Sequence, residues 1–146
     1  MAWEAWGVAP TGATDVYTAA SARALPTIRL VAADLAARAD FDLDSIDDLR
    51  MAVDDAWAML ARIAAPDAAH HAMLSCRITV WPERIEVATE VDVDDVADLL
   101  PTHSFGWRVL ECLTDEVSAL VLPGEPGQPG RVCLILVKRP VTAHQS

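Results

Sequence analysis

The sequence predicts an α/β (α+β) two-layer sandwich, a mostly antiparallel sheet with helices on one face. Three observations lead there. Apolar residues recur at steps of three and four in three segments, as a buried helix face requires. Five other segments alternate or run apolar at strand length, and their order is strand, helix, helix, two strands, helix, two strands. The chain has 146 residues, 53% of them hydrophobic and 23% charged, which suits one domain with ample core. The expected division is an arm at 1–13, the domain at 14–140 and a short tail at 141–146.

The arm mixes Trp3 and Trp6 with Gly7, Pro10 and Gly12 and has no period. Two indoles are too much apolar area to leave in water without a use, so the arm is expected to dock on the domain or on a partner. Residues 15–20 read as a weak first strand. Over residues 22–39, Leu25, Ile28, Val31, Ala32 and Leu35 fall on one helix face, with Pro26 placed in the first turn. Asp44 or Ser45 is expected to cap a second helix that carries Ile46, Leu49, Val53, Trp57, Leu60 and Ala64 inward and stops at Pro66. Residues 72–80 and 84–91 form a hairpin pattern around Trp81, Pro82 and Glu83. Leu74, Cys76, Ile78 and Val80 share one face of the first strand, and Ile85, Val87 and Thr89 one face of the second. Residues 92–99 suggest a short acidic helix before Pro101. A third main helix follows over 104–114, capped by Ser104, with Phe105, Val109, Cys112 and Leu113 inward. Strands at 117–122 and 132–137 flank the turn-forming PGEPGQPG.

Net charge is −11 and the pI is about 4.5. That balance disfavours nucleic acid, whose phosphates demand cations, and suits a basic protein partner or simple solubility. Cys76, Cys112 and Cys133 are far apart and set in apolar stretches, so buried thiols in a reducing cytoplasm are expected. His70 and His71 stand away from any cysteine, which leaves no metal-ligand spacing. No run approaches the roughly 18 apolar residues of a membrane span, and none follows a basic N-terminal segment, so no membrane is expected.

Three stretches in this order resemble the RsbW-type anti-sigma factors of the GHKL (histidine kinase-like ATPase) superfamily. DFDLDSIDDLRMAVDDAWAMLARIA at 40–64 is similar to the helix carrying that family's N-box. SFGWRVLECLTDEV at 104–117 is similar to its glycine-led helix and following strand, and GRVCLILVKR at 130–139 to its last strand. The resemblance covers residues 15–138.

The same stretches depart from the family's phosphate chemistry. Family kinases use a Glu as base and, one helical turn on, an Asn that holds Mg²⁺; here the positions read Asp55 and Met59. A thioether is a poor ligand for a hard cation. Where the family's adenine-reading Asp is followed by glycines, this chain has Val91 or, one residue on, Asp92, and then Val93. Ser104 and Gly106 stand for the later glycine pair, and Arg131 for a threonine. No catalytic residue is assigned; a degenerate pocket of Asp55, Met59, Val91, Asp92, Ser104, Gly106 and Arg131 is expected, with no metal and weak ATP and Mg²⁺ binding at most. Trp107 and Arg108 flank Gly106. Both are candidate partner contacts, and Trp107 is equally a packed core residue.

The resemblance implies a homodimeric anti-sigma factor that sequesters an alternative sigma factor and is released by a STAS-type anti-anti-sigma protein. Its alternatives are an active serine kinase of that antagonist and a pseudo-ATPase adaptor for other signalling proteins.

Overall fold

A computed structural model of the chain describes residues 9–19, 22–64, 73–94 and 104–141. The five strands are β1 (Gly12–Ala19), β2 (Met73–Trp81), β3 (Arg84–Val93), β4 (Glu116–Leu122) and β5 (Gly130–Lys138). They form one sheet in the order β1-β2-β3-β5-β4, and every neighbouring pair is antiparallel. Helices α1 (Leu25–Arg38), α2 (Leu43–Ile63) and α3 (Phe105–Leu113) pack on one side, with a 3-10 turn at Ala22–Ala24 leading into α1.

Strand alternation explains why one face is covered. Leu74, Cys76 and Ile78 of β2, Ile85, Val87, Val91 and Val93 of β3, and Val132, Leu134 and Leu136 of β5 are all buried in one cluster with the helices. The residues between them, such as Arg77, Glu90 and Arg131, point the other way. α2 supplies the opposing wall through Ile46, Leu49, Val53, Trp57, Met59 and Leu60.

Local chemistry sets the helix ends. Pro26 sits in the first turn of α1, where its missing N–H costs nothing. Asp40 turns the chain with a positive φ of 61°, which a short polar side chain tolerates, while Phe41 N donates to Ala36 O at 3.0 Å. The cap of α2 is Asp42, not Asp44 or Ser45: its carboxylate accepts from Ser45 N at 3.0 Å and Ser45 Oγ at 2.7 Å. Asp42 also accepts from Val141 N at 3.0 Å, tying the far end of the chain to the start of α2. These bonds hold its carboxyl down at about 2.

Several expectations change. Asp92 and Val93 complete β3 instead of opening a helix, and the rest of that expected helix, 95–99, lies outside the described residues. The same holds for Pro66, His70, His71 and Pro101, and for Trp3 and Trp6 of the arm. On α3 Trp107 and Leu110 are buried and Leu113 packs against the core as expected, whereas Phe105 is 83% exposed. Ser104 caps that helix by accepting from Trp107 N at 3.2 Å. Burying Trp107 and Leu110 against the core turns Phe105 out. Cys112 is exposed on the same helix, while Cys76 and Cys133 are buried.

Candidate functional site

The residues expected to form a degenerate nucleotide pocket divide between the two sides of the sheet. On the helix side are Asp55, Met59, Val91, Ser104 and Gly106. Asp55 and Met59 lie one turn apart on α2, and Met59 is buried, its Cε pressed toward Gly106 so closely that a side chain at position 106 would meet it at 2.7 Å. The space above the glycine is thus filled by a thioether. Val91 and Val93 are 2% and 0% exposed in the same core, so their isopropyl groups, expected beside a nucleotide, pack against apolar neighbours instead. At the N-terminus of α3, Ser104 already takes the amide of Trp107 and its carbonyl takes that of Arg108. This side-chain set does not fit Mg²⁺–ATP: the carboxamide ligand is replaced by a soft sulfur, and the cradle is packed with apolar atoms.

Asp55 keeps a half-buried carboxyl. Burial, with a smaller contribution from the charge of Asp54, raises its pKa. Asp54 is engaged elsewhere, accepting from Arg29 of α1 at 2.8 Å. Adjacent residues on a helix diverge by about 100°, so the two carboxylates point apart.

Asp92 and Arg131 face the opposite side. They approach each other at 3.9 Å, and Arg131 also pairs with Glu90. That open side holds a groove of about 460 Å³ bordered by Asp15, Tyr17, Ser75, Arg77, Glu90 and Cys133. Arg77 donates to both carboxylate oxygens of Asp15, at 2.7 and 3.0 Å. Burial, then the charges of Glu90 and Glu86, push the Cys133 thiol up to about 11, so it is a poor nucleophile at neutral pH. Sequence reading had not assembled this groove. Its signal was the alternation Ser75, Arg77, Thr79 against Glu86, Ala88, Glu90, which needs the β2–β3 register to become a surface.

Of the two candidate partner contacts, Trp107 belongs to the core at 8% exposure and Arg108 is exposed. Phe105 was missed as a surface residue; it lies one turn before Arg108 on the outward side of α3. Among the described residues no helix is long and apolar enough to cross a membrane.

No family model matches the chain. Among curated proteins it is 32% identical over 121 residues to the anti-sigma-F factor RsbW of Mycobacterium tuberculosis, in strains CDC 1551/Oshkosh and ATCC 25618/H37Rv alike. The alignment takes in 82% of this chain and 68% of the relative.

Proposed function

We propose that this chain, which belongs to the RsbW family of anti-sigma factors, sequesters an alternative sigma factor by direct binding, without nucleotide chemistry. The relative's name supports the partner class. The observation that supports the second half is the Met59 side chain lodged against Gly106, where a Cβ would meet its Cε at 2.7 Å. The partner contact we assign is the outward side of α3, where Phe105 and Arg108 expose an aromatic ring and a guanidinium one turn apart. Such residues anchor interfaces well, because the ring buries a large apolar area and the guanidinium offers several planar donors. The net charge of −11 favours a basic surface on the other side.

Release then requires competition, since an equilibrium shifts only through differential affinity. A STAS-type anti-anti-sigma protein that overlaps the sigma-binding surface supplies it. We assign the working unit as a homodimer, following the family. Run-off transcription with candidate alternative sigma factors tests this reading: inhibition is expected to be stoichiometric and independent of ATP. No inhibition of any of them refutes it.

One observation favours a second reading, an active serine kinase of the antagonist. Asp55 retains a carboxylate at the base position, and its raised pKa suits a proton acceptor. Phosphate transfer from ATP to the antagonist, lost in Asp55→Asn, would establish it.

A further inference from the structure

The two edges of the sheet differ in how they meet water. β1 carries Asp15 near its middle, paired with Arg77, and a charge on an edge strand discourages pairing with another chain. β4 has no such protection. From Val117 to Gly124 the sequence holds no charged residue, and proline enters only after the strand, at Pro123. Among the described residues only β5 pairs with β4, so the peptide groups on its outer side have no strand opposite. Leu120 and Leu122 face the open side of the sheet and Val121 the helix side, yet the three are 52%, 48% and 42% exposed. On the open side Leu120 borders Cys133 of β5, and Ile135 lies half-buried one row further on. The apolar surface therefore runs inward from the edge. An unpaired, charge-free, apolar edge of this kind is a template for strand addition.

Charge selects the occupant. A basic partner finds no carboxylate to pair with along Val117–Leu122, whereas a second copy, repelled elsewhere by a net charge of −11, meets no like charge there. Self-pairing also removes both exposed edges in one closed two-fold contact. We propose that β4 pairs antiparallel with β4 of a second copy, with Leu120 at the two-fold axis, so that two five-stranded sheets join into one. In that register Leu120 faces its own counterpart, Leu122 lies opposite the second copy's Ser118, and Glu116 opposite its Gly124. Directly opposed residues share a face, so the leucines of both copies line one apolar strip on the open side. The same operation about the middle of β1 would bring two Asp15 carboxylates together, which is why β4 is the edge that pairs. The contact rests on the homodimer assigned above and names its surface; it does not depend on the sigma-factor reading.

The test is sedimentation equilibrium of the full chain from about 1 to about 200 μM, where a monomer–dimer equilibrium is expected with Kd on the order of 10 μM, as suits a contact of one strand and few side chains. Leu120→Lys and Leu122→Lys together should weaken it about tenfold or more with an unchanged circular dichroism spectrum, because lysine on an edge strand is tolerated by the fold but not by the pair. Tyr17→Lys, on the other edge, should leave the equilibrium as it was. Amide hydrogen exchange should slow with rising concentration over 118–122 and stay constant over 12–19. A monomer at every concentration overturns both this contact and the homodimer. A dimer that survives the double substitution, or protection that rises over 12–19 instead, overturns the contact alone.

Discussion

The two sides of one sheet are built from alternate residues of the same strands, yet they are under different constraints. On the helix side Leu74, Ile78, Ile85, Leu134 and their neighbours are almost wholly removed from water, and residues of the expected nucleotide pocket have joined that core. On the open side the corresponding positions hold Arg77, Glu86, Glu90 and Arg131, together with half-exposed Leu120 and Leu122 on the edge strand. The difference teaches that the side closed by helices is committed to packing, whereas the open side is free to carry charge. Met59, Val91 and Val93, expected to line a pocket, instead make apolar contacts in the core, which stabilises the sandwich. What remains available for function is surface.

The sharpest break between the sides is energetic. Leu134→Ala, at a fully buried position, should lower unfolding free energy by about 3 kcal/mol. Leu120→Ser, on the same sheet but facing out at 52% exposure, should change it by less than about 0.5 kcal/mol. Urea denaturation of both variants measures the contrast, and similar losses would contradict the assignment of faces.

Lys138 joins the helix layer to the end of β5. Its Nζ donates to Asp48 of α2 at 3.2 Å and to the carbonyl of Leu113 at 3.0 Å, and the residue is 9% exposed. Lys138→Met keeps the stem but strands that carbonyl, so a loss of about 1–2 kcal/mol is expected in the same assay. No loss would show that the ammonium is not holding the layers.

A smaller effect is set by pH. The Asp42 carboxyl is held at about 2 in the folded chain, below its ordinary value. Its contribution is therefore fully present above the ordinary carboxylate range and is lost as pH falls from there toward 2. Asp42→Asn keeps a cap but removes this titration, so stability should fall less steeply with acid through that window. Denaturation midpoints across a pH series would reveal an unchanged slope if the carboxylate were not engaged.

The smallest effect belongs to the closed pocket itself. Gly106→Ala places a methyl 2.7 Å from Met59 Cε, the far end of a flexible side chain that can swing aside. The expected cost is below about 1 kcal/mol. A large loss would mean that Met59 is more rigidly held than its chemistry implies.

Much of this division was legible in the sequence, because alternation in β2 and β3 and the stripe on α2 each allow one inward face. The rotation of α3 was not. Apart from Arg108 and Glu111, FGWRVLECL is apolar over more than half its circumference, so several stripes fit until packing against the core selects Trp107 and Leu110. The cap of α2 was obscured by the run Asp40, Asp42, Asp44 and Ser45, in which neighbouring residues offer similar oxygens. The Asp15–Arg77 pair spans 62 residues. It depends on the β1–β2 register, which no local pattern supplies. The departures at Met59, Val91 and Val93 were visible as residue types, but that a methionine fills the room left by a glycine needed the packing of α2 against α3.

The central claim is that partner binding has been uncoupled from nucleotide. The direct measurement is a titration of a fluorescently labelled alternative sigma factor with this protein, followed by anisotropy with and without Mg²⁺–ATP. A ligand that does not distinguish bound from free protein leaves the affinity unchanged, so the account predicts the same Kd in both series. A tenfold or greater change in Kd with Mg²⁺–ATP, about 1.4 kcal/mol of coupling, would contradict it.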